Sequence, residues 1–397
     1  MIPERLDDAE WLERPAVQAI FAALGGAEGR TRAVGGVVRD SLIGRLREDT
    51  DIDMATELLP VAVMQTAKAA GIASYPTGID HGTVTLRLGE AVVEVTTLRR
   101  DVATDGRHAE VAFGTDWQAD AARRDFTLNA LYCFADGRLF DPLGGAGDLV
   151  NGRVRFIGDA GRRIAEDGLR VYRFFRFSAS HGGEQFDPEG LAACRDAVSR
   201  LDHLSRERVG AEMLRMLAQP RIARTLAVMA EIGLMPLAEP VFKGLQRYET
   251  LGGHGAAARL ALLAPEGPDA LQEAWRLSKA MAERARRIAG AAALLEEGKG
   301  EWAVYRFGED AVEGLAVAAA RNDWPRGLLA ETARDLGRLP VAPLPVSGKD
   351  LLARGMAAGP ELGAALQRLE EKWVESGFSL DREALLDLAG QLGGREG

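Results

Sequence analysis

Apolar residues change their spacing along this chain, and the change divides it into two kinds of structure. Between residues 30 and 140, short apolar runs such as Thr83-Val84-Thr85-Leu86 and Val92-Val93-Glu94-Val95 alternate with glycine-bearing turns. Runs of this kind, rich in β-branched residues and closed by turn formers, predict strands. Helical spacing flanks them at Glu10 to Leu24 and at Leu59 to Ala70. From Asp141 onward the strand signals largely vanish. Glu166 to Phe177, Glu207 to Leu217, Arg221 to Ile232 and Ala274 to Leu295 repeat apolar residues three and four apart, which predicts helices with one packed face. The expected fold is α+β: a mixed α/β head, then an all-helical remainder. Leu339-Pro340-Val341-Ala342-Pro343-Leu344-Pro345 reads as a linker, and a helix-glycine-helix pattern follows it.

Size and composition narrow this picture only a little. At 397 residues the chain exceeds what one core usually supports, so several domains are expected. Hydrophobic residues make up 47% and charged residues 27%, ordinary values for a globular protein. No apolar run approaches the roughly 20 residues of a membrane span, and Met1-Ile2-Pro3-Glu4-Arg5 leads into no signal-type stretch. The expectation is a cytoplasmic protein without a membrane association. Cys133 and Cys194 stand far apart without metal-type spacing and read as reduced structural thiols. A net charge of −10 argues against charge-driven nucleic-acid binding over the whole surface, though not against a local footprint. Arginine greatly outnumbers lysine, a bias that genomic base composition explains as readily as phosphate recognition does.

Candidate chemistry concentrates in the head. In Val34-Gly35-Gly36-Val37-Val38-Arg39-Asp40 two glycines let the backbone approach an anion and turn its N–H groups toward it. Asp51-Ile52-Asp53 follows, and residues i and i+2 of a strand point to one face, so the two carboxylates aim together. Adjacent carboxylates repel, and a hard cation such as Mg²⁺, which takes a few carboxylates and substrate phosphates, relieves the repulsion. A phosphate turn beside a metal-binding pair points to nucleotidyl transfer. Glu94, on a predicted strand, is either a third carboxylate of a two-metal site or a solvated acid on an exposed strand face.

Two further clusters admit both bland and functional readings. Arg123-Arg124-Asp125-Phe126-Thr127-Leu128-Asn129-Ala130-Leu131 reads as the opening of an apolar helix. There Asp125 or Thr127 would cap the helix, while paired arginines would be unfavourable without an anion such as a triphosphate. Glu166-Asp167-Gly168-Leu169-Arg170, continuing through Arg173 and Arg176, places Asp167, Arg170 and Arg173 three residues apart on one helical stripe. That stripe is either a helix surface with an ion pair or a donor-acceptor template for a base edge. Asp101 to His108 is polar and weakly periodic, and reads as a loop.

Together these residues resemble the class II tRNA nucleotidyltransferases, the CCA-adding enzymes and their bacterial poly(A) polymerase relatives. Gly35 to Asp40 with Asp51-Ile52-Asp53 is similar to the family's first motif, and Arg123 to Leu131 to its second. Asp141-Pro142-Leu143-Gly144-Gly145, Glu166 to Arg170, and Ser205-Arg206-Glu207-Arg208 through Glu212 resemble the third, fourth and fifth. The resemblance implies catalytic Asp51, Asp53 and Glu94, with Mg²⁺ on Asp51 and Asp53. It implies nucleotide binding by Gly35, Gly36, Arg39, Arg124, Asp125, Asn129, Asp167, Arg170 and Arg173, with Asp167 and Arg170 reading the base. It further implies a head (residues 1–140), a neck that recognises the nucleobase (141–220), a body that binds RNA (221–340) and a tail that binds tRNA (341–397). CTP, ATP and the tRNA 3′ end are the implied partners, with no protein partner evident. Asp105-Gly106-Arg107-His108 resembles a flexible element that CC-adding members lack, so the resemblance implies template-independent CCA addition, with A addition or poly(A) synthesis as the alternatives. A non-catalytic tRNA-binding protein is the competitor from another class.

Overall fold

The computed structural model describes residues 3–7, 9–47, 50–101 and 111–393. It contains two compact units, one formed by residues 1–204 with 232–234 and the other by residues 205–231 with 235–397.

The first unit is built on a sheet. Its strands are β1 (Thr31–Val34), β2 (Ile52–Thr56), β3 (Ala73–Gly78), β4 (Thr83–Leu88) and β5 (Ala91–Thr97), while β6 (Arg99–Asp101) and β7 (Val111–Phe113) pair separately. Two short strands, β8 (Tyr132–Cys133) and β9 (Leu139–Phe140), complete a seven-stranded sheet in the order β3-β4-β5-β2-β1-β8-β9. β2 and β5 run parallel, and the remaining neighbours are antiparallel. Strict alternation places Met54, Val84, Leu86, Val93 and Val95 on one fully buried face. The helices Pro15–Ala23 and Pro60–Ala69 pack against the strands of this part of the sheet. The opposite face carries Asp53, Glu94, Thr85 and Tyr75.

Several boundaries differ from the sequence expectation, each for a local reason. The segment Glu10 to Leu24 is two helices, Glu10–Glu13 and Pro15–Ala23, because the residue before a proline is pushed out of the helical region and Arg14 sits at φ −59°, ψ 124°. Ala274 to Leu295 is likewise interrupted: Arg276 adopts a left-handed conformation between the helices Asp269–Trp275 and Lys279–Glu296. Strand β6 ends at Asp101, where the expected loop Asp101 to His108 begins, and β7 and the helix Trp117–Ala122 follow from Val111. Residues 102–110, including Asp105 to His108, lie outside the described residues.

Beyond β9 every described element is helical. In the second unit the helices Lys279–Glu296 and Asp310–Asn322 pack through small side chains. A Cβ on Gly314 would meet the Ala291 Cβ at 2.6 Å and the Ala292 amide at 3.1 Å, so only glycine permits this approach. Arg259 is fully buried there, and its guanidinium donates to the carbonyls of Leu217 and Pro220 and to Glu249. The C-terminal helices gather around a separate cluster of Leu369, Trp373, Val374, Phe378 and Leu385. Among the described residues no helix is long and apolar enough to cross a membrane.

Candidate active site

The parallel pairing of β2 with β5 brings the carboxylates together. Asp53 and Glu94 are direct partners across these strands, so their side chains share a face, and Asp51 lies two residues before Asp53. Glu94 lies on an exposed strand face, and there it stands beside Asp53. Burial, followed by the negative charge of Glu94 and then of Asp51, pushes the Asp53 carboxyl up to about 6, with Arg124 pulling the other way. Among the described residues no group of three or more His, Cys, Asp or Glu side chains forms a ready-made metal cage. The chemistry of the donors still fits a hard divalent cation, which needs few protein carboxylates and would relieve the repulsion that disturbs Asp53.

Next to this pair, the chain leaves β1 through Gly35, whose φ of 74° and ψ of −124° demand glycine. A Cβ there would come within 3.8 Å of the Asn129 carbonyl and 3.9 Å of Arg124 Nη1, so the turn abuts the segment 124–129. The helix Gly36–Leu42 begins at this turn and carries Arg39 into the interior. Arg39 donates from Nε and Nη2 to the two carboxylate oxygens of Asp40, at 2.7 and 2.8 Å, and from Nη1 to Asn129 Oδ1 at 2.7 Å. Asn129 Nδ2 donates to Asp125 Oδ1 at 3.0 Å, and Arg173 donates to Asp125 Oδ2. His181 continues the chain from the far end. Its Nε2 is 2.9 Å from Asp40 Oδ1, and Ser180 Oγ lies 2.7 Å from its Nδ1.

Charge balance accounts for the state of this network. Burial alone would raise the Asp40 carboxyl, but hydrogen bonds from His181 and Arg39 bring it down to about 2. Asp125, although fully buried, is held below the usual carboxylate range by the Arg173 charge and by hydrogen bonds from Asn129 and Arg173. Burial lowers His181, helped by the Arg39 and Arg176 charges and opposed by Asp40. A neutral imidazole that donates from Nε2 and accepts at Nδ1 satisfies both of its partners.

Arg123 and Arg124 require a correction. They do not open a helix but close one: Trp117–Ala122 ends at Arg123, and after Asp125 and Phe126 there follows only the single 3₁₀ turn Thr127–Asn129. Asp116, not Asp125 or Thr127, caps that helix, accepting from Gln118 and Ala119 amides. The expected helix-dipole conflict therefore does not arise, since cations near a C-terminus are favoured. The positions are fixed by Asp120, which is buried and accepts from Arg123 at 2.5 Å, from Arg124 at 3.2 Å and from the Tyr132 hydroxyl at 2.9 Å. Asp120 was legible as a partner, since it lies three and four residues before the two arginines. His181 gave no comparable signal.

The stripe Asp167-Arg170-Arg173 is also rearranged. Glu166 ends the helix Ala160–Glu166, Asp167 is extended at φ −151°, ψ 104°, and the next helix is Leu169–Ser180. Asp167 Oδ1 accepts from the Leu169 amide at 3.1 Å, so it sits at the helix start and not along its face. Arg170 and Arg173 do share that helix, but their partners diverge. Arg170 Nη1 donates to Glu166 Oε2 at 2.6 Å and to the Arg163 carbonyl at 2.8 Å, whereas Arg173 reaches Asp125. The two cysteines are free and buried, as expected of structural thiols, and burial pushes the Cys133 thiol up to about 12.

Comparison with known proteins agrees with this geometry. The family model for the poly(A) polymerase head domain matches residues 31–155. A model for an RNA- and SrmB-binding site of polymerase A matches 185–247, and one for tRNA nucleotidyltransferase domain 2 matches 258–389. Mouse (Mus musculus) mitochondrial CCA tRNA nucleotidyltransferase 1 is 34% identical over 89% of this chain and 85% of its own length. The CCA-adding enzyme of Levilactobacillus brevis is 31% identical over 96% of this chain and 98% of its own. Among solved structures, the Bacillus stearothermophilus CCA-adding enzyme in complex with CTP superimposes with a TM-score of 0.78 at 29% identity, covering 96% of this chain and 98% of that one.

A polymerase-type head with paired carboxylates beside a glycine turn, joined to an all-helical C-terminal half, defines a nucleotidyltransferase. This chain belongs to the class II CCA-adding family of tRNA nucleotidyltransferases. Enzymes of this family generally need divalent metal ions.

Proposed function

We propose that this chain is a template-independent CCA tRNA nucleotidyltransferase, which adds C, C and A from CTP and ATP to the 3′ end of tRNA and releases pyrophosphate at each step. The observation that carries the reading is the in-register pairing of Asp53 with Glu94 beside the Gly35 turn. At each addition the 3′ oxygen bonds to the α-phosphorus, and the bond to the departing pyrophosphate breaks in line with it. Mg²⁺ held by Asp51 and Asp53 would supply charge neutralisation at the reacting phosphate. Glu94 completes the acidic surface beside Asp53.

The remaining site residues bind and orient. The Gly36 N–H, at the first residue of its helix, faces the triphosphate; the Gly35 turn brings the backbone there while its own N–H donates to the Leu131 carbonyl, and Arg39, its direction fixed by Asp40 and Asn129, adds positive charge behind them. Arg124 lies close enough to lower the Asp53 carboxyl and takes the phosphate side of the nucleotide. Asp125, Asn129 and Arg173 form one bonded set that positions the sugar. Asp167 and Arg170 read the base, an acceptor and a donor supplied from a helix start and its first turn. We assign the helical part to gripping tRNA, in the head, neck, body and tail arrangement with divisions near residues 140, 220 and 340. Buried reduced thiols fit a cytoplasmic setting.

The test is to incubate the purified protein and Mg²⁺ with tRNA that ends at its discriminator base, with CTP, ATP or both, and to sequence the 3′ ends. Addition of CCA that then stops is expected. ATP-only extension of tRNA already ending in CC would make the protein A-adding, and long adenylate ladders would make it a poly(A) polymerase. Binding of tRNA with neither transfer nor metal-dependent CTP binding would leave a non-catalytic tRNA-binding protein, which has no use for a triphosphate site.

A further inference from the structure

We propose that the open face of β5, β4 and β3 is the platform for the attacking RNA strand, with Tyr75 stacking on one of the last bases before the 3′ hydroxyl. The inference rests on the nucleotidyl-transfer reading of the site and assigns it a second half.

Strand order carries the argument. The carboxylates stand on β2 and β5, in the middle of the sheet. Every group that we assign to the triphosphate lies on the β1 side: the Gly35 turn and the helix carrying Arg39 follow β1, and Arg124 comes just before β8. In-line displacement requires the attacking oxygen to enter from the side opposite the leaving pyrophosphate. The side left for it is β5, β4 and β3.

That side is a continuous surface. Asp53 pairs with Glu94, Glu94 with Thr85, and Thr85 with Tyr75, so the four side chains form one row across four strands. At roughly 4.8 Å for each interstrand gap, Tyr75 stands about 10 Å from Glu94 and about 14 Å from Asp53, within reach of the last few nucleotides of a bound strand. The face suits single-stranded RNA. Tyr75 is 48% exposed, an aromatic ring open to solvent on an edge strand. Thr77 and Thr85 hydroxyls are 2.7 Å apart, and those of Thr83 and Thr96 are 3.0 Å apart, which offers donors and acceptors for ribose. Arg87, on the same face as Val92, is exposed and available to a phosphate. Bases stack on aromatic rings whatever their identity, and a strand that ends successively in the discriminator base, C and CC needs such tolerance.

The test compares wild type, Tyr75→Ala and Tyr75→Phe in steady-state addition to tRNA lacking CCA and to tRNA ending in CC. Loss of one stacked base predicts a rise of about tenfold in the KM for tRNA in Tyr75→Ala. The KM values for CTP and ATP should stay unchanged, and Tyr75→Phe should restore the wild-type value because it keeps the ring. Wild type that adds CCA while Tyr75→Ala keeps its KM for tRNA overturns this inference alone. So does a rise in the KM for CTP in place of tRNA, or a change in molar mass by light scattering, which would mark the face as a self-association surface. A wild type that transfers no nucleotide at all sinks the functional reading and this one with it.

Discussion

The two flanks of the Asp53 and Glu94 pair are built in opposite ways. Toward β1 and β8, the polar side chains are bonded to one another in an unbroken series: His181, Asp40, Arg39, Asn129, Asp125 and Arg173, with Asp120 holding Arg123, Arg124 and Tyr132 beside it. Toward β4 and β3, Tyr75 is exposed and the half-buried Thr85 shares a hydrogen bond between its hydroxyl and that of Thr77. A small, flexible nucleotide loses freedom when it binds, and preset donors reduce what must be ordered at that moment. The single-stranded 3′ end arrives tethered to a folded RNA, which limits its freedom beforehand, and can be met by an open surface. Rigidity is placed where the ligand lacks it.

The largest effect expected on this contrast comes from the carboxylates that both flanks share. Asp51→Ala or Asp53→Ala should cut transfer by at least about a thousandfold without unfolding the chain, because neither change opens a core cavity. Incorporation of CTP and circular dichroism on the same preparation check both halves, and an unfolded variant would remove these residues from the site. The pH dependence sharpens it. Asp53 titrates higher in the folded chain than its ordinary 3.8, so the native state binds the extra proton and stability contributed by this group falls as pH rises from about 4 through 6. Asp53→Asn should therefore melt no lower than wild type above pH 6, and added Mg²⁺ should raise the melting temperature of wild type there but not of the variant.

Next in size is the prewired flank. Asp120→Ala removes the buried counter-charge of two guanidiniums and the acceptor of the Tyr132 hydroxyl, and should cost about 3–5 kcal/mol in urea denaturation. Thr85→Val on the open flank should stay within about 0.5 kcal/mol. Equal losses at the two positions would break the comparison.

The smaller effect on the prewired flank belongs to His181, which acts through Asp40 and Arg39 and touches no substrate. Loss of one hydrogen bond worth about 1 kcal/mol predicts a KM for CTP and ATP about fivefold higher in His181→Ala, with the KM for tRNA unchanged. A parallel rise in both KM values would make His181 merely structural.

Much of this protein was determined by sequence alone, wherever one local rule sufficed. Alternation in Val92-Val93-Glu94-Val95 set which of its side chains face out, apolar spacing marked the helical half, and Gly35-Gly36 with Asp51 and Asp53 located the chemistry, since backbone freedom and two-residue periodicity are properties of neighbours in the chain. Even there, local rules failed where two of them competed: Pro15 split a helix that apolar spacing made continuous, and Asp116 with Asp120 turned Arg123 and Arg124 into the end of a helix and not its start. What only the tertiary structure decided is every relation that depends on strand order and long-range pairing. The parallel pairing of β2 with β5 made Glu94 a partner of Asp53, and the packing of the helix Leu169–Ser180 brought His181 to Asp40 across a separation of 141 residues. Those contacts arise because a buried charge must find its counter-charge wherever the fold supplies one, and no periodicity along the chain records where that is.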